Sequence, residues 1–341
     1  MAQIIPKKPL SVEQNWQKEL ALSFTAPEKL LHYLQLPVEE YRQDIHARKL
    51  FPMRVPRDFA ARMEKGNPND PLLRQVFPLK EEFAEPTGYT DDPLLEQNND
   101  QKGLLHKYLS RVLLIVRGGC AVNCRYCFRR HFPYADNSVN KQGWQEALTY
   151  IRKDNQINEV IFSGGDPLMA KDDFLAWLSK EVSSIPHIKR LRIHTRLPVV
   201  IPSRITTELI DWFSNNGLQN IMVLHINHAN EIDSALIDKL LLLKQAGVTL
   251  LNQAVLLKGV NDSAESQIAL SEALFAAGVL PYYLHVLDKV KGAAHFDVSD
   301  QHARDIMREM IKRQPGYLVP KLVREIADQP GKTPLDLQLH P

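Results

Sequence analysis

The chain has three cysteines, and all lie within eight residues: Cys120, Cys124 and Cys127, in the run Gly118-Gly119-Cys120-Ala121-Val122-Asn123-Cys124-Arg125-Tyr126-Cys127-Phe128-Arg129-Arg130-His131. An odd number packed so closely does not read as a disulfide framework. In a reducing compartment such a cluster reads as a metal or redox site. Three thiolates on one loop can ligate three corners of a cubane [4Fe–4S] cluster, because thiolate is the usual protein ligand for iron–sulfur iron. The fourth iron then lacks a protein ligand, and an open metal position is where a substrate binds. Two other readings fit the local spacing. His131 could complete a Cys3His zinc site, with Arg125, Arg129, Arg130, Tyr126 and Phe128 contacting RNA by phosphate pairing and base stacking. The three cysteines could also be small buried hydrophobes.

A second chemical signal follows at Ser163-Gly164-Gly165-Asp166-Pro167. Glycines there allow close backbone approach to a ligand, although the same residues also make an ordinary strand-to-helix turn.

The elements that must position these loops alternate. RVLLIVRGG, NEVIFSGG, KRLRIHT, NIMVLHIN, VTLLNQAVLL and VLPYYLHVLD are short apolar runs, and YLVPKLVREI is a further strand candidate. Between them lie GWQEALTYIRK, DDFLAWLSKEV, SRITTELIDWFS, EIDSALIDKLLLLKQAG, SAESQIALSEALFAAG and SDQHARDIMREMIKR, which are helical in pattern. Near-continuous apolar strands alternating with helices predict a parallel sheet covered by helices. Six such units predict an α/β fold, a partial TIM-like (β/α)6 barrel, with its chemistry at the C-terminal strand ends. The cysteines follow the first core strand and the Gly-Gly-Asp turn ends the second. Residues 1–104 read as a mostly helical N-terminal extension, 105–315 as the barrel core and 316–341 as a C-terminal segment. In the extension, SVEQNWQKELALSF and APEKLLHYLQ carry helical spacing, and RVPRDFAARMEKGNPNDPLLRQVF reads as helix, turn, helix.

Composition excludes several function classes. Lys plus Arg is 42 against 40 Asp plus Glu, a formal net charge of +2. A nucleic-acid or membrane-surface binder usually carries a clear basic excess, so neither partner is expected. MAQIIPKKPLSVEQNW has no long apolar stretch, so no signal peptide is expected. Runs such as Val112–Val116 are far short of the ~20 residues that span a bilayer. A cytoplasmic location is the default.

The C-x3-C-x2-C motif after a first barrel strand, with the Gly-Gly-Asp turn closing the next, resembles the radical S-adenosylmethionine superfamily. The resemblance narrows to the lysine 2,3-aminomutase family and runs from about Phe51 to Leu339. It is carried by LLHKYLSRVLLIVRGGCAVNCRYCFRRHFPY, IFSGGDPLM, RLPVVIPSRIT, HINHANE, LLNQAVLLKGVND, YYLHVLD, GYLVPKL and PGKTPLDLQ. It implies an isomerase, with a [4Fe–4S] cluster on Cys120, Cys124 and Cys127 that reduces S-adenosylmethionine to a 5′-deoxyadenosyl radical. It also implies pyridoxal phosphate as a second cofactor and migration of the amino group of lysine from C2 to C3.

The resemblance assigns roles by position. Lys332, in Pro330-Gly331-Lys332-Thr333-Pro334, matches the lysine that carries pyridoxal phosphate; otherwise a lysine in such a loop is a solvated surface residue. Lys107 and Arg111, with Tyr108 between them, match positions at the cofactor phosphate. Ser163, Gly164, Gly165, Asp166, His225 and Gln253 match positions at S-adenosylmethionine. Arg129 matches the arginine that pairs the substrate carboxylate, a role that suits a bidentate fork. Asp288 matches one of two acidic groups at the far ammonium of lysine, and ungapped counting places Glu325 at the other, with Asp328 the alternative. Similar short family members imply (R)-β-lysine as product, attached to a lysine of elongation factor P by a partner β-lysine ligase. An electron donor such as a flavodoxin is implied as well. Long members carry C-terminal cysteines for a structural zinc; none occur here, so zinc-clamped assembly is not expected. A radical aminomutase acting on another amino acid, such as glutamate, remains the alternative.

Overall fold

A computed structural model of the chain describes residues 15–97 and 101–339. Nine strands form one sheet in sequence order. They are β1 (Leu104–Tyr108), β2 (Arg111–Arg117), β3 (Glu159–Gly164), β4 (Arg190–Thr195), β5 (Gln219–Leu224), β6 (Thr249–Val255), β7 (Leu280–His285), β8 (Lys321–Arg324) and β9 (Thr333–Pro334). From β2 to β8 every neighbour pair is parallel. β1 and β9 run antiparallel on the two edges. All seven strand candidates of the apolar pattern therefore form, as a partial (β/α) barrel extended by one parallel strand.

The helices between the strands start where the sequence supplies a cap. Side chains of Asn140, Thr206, Asp233, Ser263 and Ser299 accept backbone N–H bonds at the starts of helices Lys141–Lys153, Thr207–Ser214, Ser234–Gln245, Ala264–Ala276 and Asp300–Arg313. Each such cap contributes about 1 kcal/mol. Every residue of β3 is buried, as expected of a parallel strand covered on both faces.

The N-terminal region is helical in short pieces. SVEQNWQKELALSF yields Trp16–Ala21, capped by Asn15, and residues 11–14 lie outside the described residues. APEKLLHYLQ yields Pro27–Tyr33. The helix–turn–helix segment yields Arg57–Ala61 and Pro71–Val76. Asp70, from the Asn-Pro-Asn-Asp turn, accepts from Leu72 N at 2.9 Å and Leu73 N at 2.8 Å, which fixes where the second helix begins. Trp16, Leu30, Phe59 and Leu72 share one apolar cluster with Val112, Phe162, Leu191 and Met222 of the sheet. The extension thus packs into the barrel's own core.

Candidate active site

The cysteine loop leaves the end of β2 and is stitched to the N-terminal region from behind. Arg54 donates to the Cys120 carbonyl (2.9 Å), Asn123 N to the Arg54 carbonyl (3.1 Å) and Arg125 N to the Gln75 carbonyl (2.8 Å). Arg125 is fully buried and binds Glu82 through Nε–H at 2.8 Å and through Nη2, and it donates to the Phe51 carbonyl at 2.8 Å. Arg130 joins the same carboxylate at 2.8 Å. This geometry corrects the RNA reading. Arg125 and Arg130 are spent on Glu82, and Arg129, paired with Glu96, faces the cavity, so these three cations are not presented to a phosphate backbone. His131 sits 3.4 Å from the Lys291 carbonyl. Among the described residues no three His, Cys, Asp or Glu side chains converge as a single metal ion requires. A cubane cluster asks something different, one thiolate at each of three separate corners.

The cysteines fit that demand. All three are free and half-buried, and all face one cavity. Burial pushes the Cys127 thiol up to about 11, with the Cys124 charge adding to it, and the Cys120 thiol also lies well above its ordinary value from burial and then from Cys127. Thiolates that repel one another in a buried site need metal charge to ionise together.

The glycine turn lies directly on this loop. Gly165 N donates to the Arg117 carbonyl (2.7 Å) and Asp166 N to the Gly119 carbonyl (3.0 Å). A Cβ on Gly165 would stand 2.7 Å from both the Gly118 and Gly119 carbonyl oxygens, and Gly164 has φ +119°. Close backbone approach is therefore the reason for glycine, but the nearest backbone is the cysteine loop itself. Asp166 is buried and ties β3 to β4. It accepts from Thr195 Oγ1 (2.8 Å), Arg196 N (2.9 Å), Leu197 N (2.9 Å) and Leu168 N (3.0 Å).

Lys107, Tyr108, Arg111, Arg129, Ser163, Gly164, Gly165, Asp166, His225, Gln253, Asp288, Glu325 and Lys332 line the same cavity as the three cysteines. Asp328 is not on its lining; it occupies the left-handed turn (φ +62°) between β8 and β9. Lys332 Nζ lies 2.7 Å from Glu325 Oε2, and Tyr108 donates to Glu325 Oε1 at 2.9 Å. Lys107 Nζ bridges Glu325 Oε1 at 3.3 Å and Glu96 Oε1 at 2.9 Å. Burial opposes ionisation of Glu325, but Lys332 and Lys107 outweigh it and hold its carboxyl well below the usual range. Asp288 is pushed up to about 7, first by burial and then by the Glu325 charge. Burial pulls His225 down to about 3. Its neutral Nε2 lies 3.0 Å from the Tyr126 hydroxyl.

Several residues of this site carry no signal in the sequence. Glu96 pairs bidentately with Arg129, at 2.6 Å (Nε) and 3.1 Å (Nη2). Arg129 Nη1 also reaches Ser163 Oγ (3.4 Å) and the Gly164 carbonyl (3.3 Å). Arg192, His194, Tyr283 and His285 also line the cavity. His194 Nε2 is buried without a hydrogen-bond partner among the described residues, which marks a polar position that a bound group can satisfy. Arg196 sits in RLPVVIPSRIT at the C-terminal end of β4, and that location was its one available signal.

Residues 114–269, which carry the cysteine loop and the strands around it, match the Radical SAM superfamily. The relatives are more specific. The chain is 58% identical to L-lysine 2,3-aminomutase of Escherichia coli (strain K12), over 96% of each chain. It is 54% identical to L-lysine 2,3-aminomutase of Haemophilus influenzae, over 97% of this chain and 98% of that one. It is 33% identical to L-lysine 2,3-aminomutase of Clostridium subterminale, over 94% of this chain and 77% of that one. The chain belongs to the lysine 2,3-aminomutase family of radical S-adenosylmethionine enzymes, and it is an isomerase of the aminomutase type. Membership implies a [4Fe–4S] cluster and S-adenosylmethionine. Among the described residues no helix is long and apolar enough to cross a membrane.

Proposed function

We propose that the protein converts L-lysine to (R)-β-lysine by 2,3-migration of the amino group, with pyridoxal phosphate bound beside the cluster. The observation that carries the proposal is the shared cavity: Lys332, Arg129, Asp288 and Glu325 face the same space as the three cysteines. The family's relatives support lysine as substrate. The resemblance supports the stereochemistry, the cofactor, and use of the product by a β-lysine ligase acting on elongation factor P in the cytoplasm. A flavodoxin-type donor would supply the electron.

The residues present fit pyridoxal phosphate. Lys332 Nζ is half-buried in the cavity, 5.6 Å from the Tyr283 ring centroid, and Lys107 and Arg111 provide cations within the same lining. When bound, pyridoxal phosphate would supply a conjugated carrier for the amino group, and the cluster with S-adenosylmethionine a radical initiator. Lys332 would hold the first cofactor. Cys120, Cys124 and Cys127 would ligate the cluster, and the turn Ser163–Asp166 with His225 and Gln253 would line the S-adenosylmethionine site. Arg129 would receive the substrate carboxylate, and Asp288 with Glu325 the terminal ammonium. Gripping both ends fixes the carbon between them, which is the contribution a protein makes when cofactors supply the reactivity. An acidic pair at the far end favours lysine over glutamate.

Anaerobically reconstituted protein, given S-adenosylmethionine, pyridoxal phosphate, a reductant and an amino-acid panel, should form (R)-β-lysine from lysine alone, resolved by chiral chromatography. Lys332→Ala should keep iron, sulfide and S-adenosylmethionine cleavage but lose isomerisation. Full isomerisation by Lys332→Ala would refute the assignment.

A further inference from the structure

Arg196 follows β4 and reaches back under the cysteine loop. Its Nη1 lies 2.8 Å from Cys124 Sγ and 2.6 Å from the Tyr126 hydroxyl. Its Nη2 lies 2.6 Å from Gln75 Oε1 and 2.9 Å from Glu231 Oε2. The guanidinium is buried, with the Phe59 and Tyr126 ring centroids at 5.4 and 5.8 Å. Glu231 is itself fixed, because its Oε1 accepts from Asn227 N (3.0 Å), His228 N (3.1 Å) and Gln75 Nε2 (3.0 Å). Asn227 Nδ2 completes the ring by donating to the Tyr126 hydroxyl at 2.7 Å. Four regions, the N-terminal helices, the cysteine loop and the ends of β4 and β5, therefore aim one N–H at one sulfur.

Such a contact has a direction. A reduced cluster is more negative than an oxidised one, and charge accumulates on its sulfurs. A donor aimed at a ligating sulfur stabilises the reduced form more, which raises the reduction potential. Glu231 balances the formal charge of Arg196, so the hydrogen bond itself is left as the main term.

We propose that Arg196 is a positioning residue for electron uptake: by donating Nη1–H to the Cys124 sulfur, it raises the reduction potential of the cluster that this sulfur would ligate. The proposal rests on ligation by Cys124 and is independent of whether lysine is the substrate.

The test is an EPR-monitored redox titration of the anaerobically reconstituted full chain, comparing wild type with Arg196→Lys, Arg196→Met and the double variant Arg196→Met/Glu231→Gln. The double variant avoids leaving a buried carboxylate unpaired. At the wild-type midpoint, the reduced-to-oxidised ratio of the Met variants should fall about tenfold, which is ~59 mV for a one-electron couple. Arg196→Lys should fall between. An unchanged midpoint with iron and sulfide intact overturns the donor role. Should the variants fail to assemble a cluster, wild type labelled with 15N-arginine decides: a 15N coupling to the reduced cluster by pulsed EPR supports the contact, and its absence overturns it. An intact, fully ligated cluster in Cys124→Ala would instead overturn the ligation on which the proposal stands.

Discussion

Asp288→Asn should stabilise the protein above neutral pH while impairing it as an enzyme. Burial first and the Glu325 charge second lift the Asp288 carboxyl from 3.8 to about 7. The folded chain then holds a proton that the unfolded chain releases as pH climbs through that window. Because the folded state binds more protons there, stability falls as pH rises from about 4 to about 7, and the full penalty persists above it. The whole interval corresponds to roughly 4 kcal/mol, and the part between about pH 5 and about pH 8 to roughly 3 kcal/mol. Buried neutral histidines such as His225 titrate with the opposite slope below about 6.5, so wild type alone does not isolate the effect. The difference between wild type and Asp288→Asn does, because both share every other group. Urea unfolding of the two proteins without substrate, at about pH 5 and about pH 8, should show the advantage of the Asn variant growing by roughly 3 kcal/mol. A pH-independent difference would refute the reasoning. The same variant should bind lysine about 10- to 100-fold more weakly, the size of a lost charged hydrogen bond.

Two further outcomes follow from the support of the cysteine loop. Glu82→Gln should destabilise the chain by about 3–5 kcal/mol, since it strips the charge from a carboxylate shared by two buried guanidinium groups; urea unfolding and iron content after reconstitution measure it, and a loss under ~1 kcal/mol with full iron would contradict it. Gly165→Ala should weaken S-adenosylmethionine binding at least about tenfold in equilibrium dialysis, because its Cβ meets two carbonyl oxygens at 2.7 Å and neither is a movable side-chain end.

How legible this was from sequence depends on the range of the interaction. Apolar runs and caps are local, so the parallel strands and the barrel helices were readable. β1 was not, because Leu104–Tyr108 mixes two leucines with His106, Lys107 and Tyr108 and pairs through an irregular register. β9 has two residues and exists only through β8. The cysteines announced themselves by spacing. Lys332 was legible only through resemblance, since a lysine between glycine and threonine has no chemistry of its own. Glu82 and Glu96 were invisible, and Arg196 was marked only by its place after β4, because their partners lie far along the chain: Arg125 43 residues from Glu82, Arg129 33 from Glu96, and Arg196 72 from Cys124. The arginines after the cysteines looked like a basic surface for the same reason, since nothing local reveals that a distant carboxylate has claimed them.

The cavity's charges are allotted unevenly, and the hairpin at the sheet edge is why. Arg324 on β8 pairs with Thr333 on β9, so Glu325, one residue past β8, and Lys332, one before β9, meet at 2.7 Å. Lys107 and Tyr108 at the end of β1 reach the same carboxylate from the opposite edge, so polar side chains span the seam that the backbone ladder leaves open. Glu325 is thereby kept ionised by two cations and a hydroxyl, and Glu96 by Arg129 and Lys107. Asp288 has no ion pair among the described residues and faces an already ionised neighbour, so it holds its proton near neutrality. Of the three carboxyl groups it is the one whose charge state an arriving ammonium can change. A cation that enters beside it therefore gains a new ion pair without breaking an old one, whereas at Glu325 or Glu96 it must compete with lysine or arginine already in place.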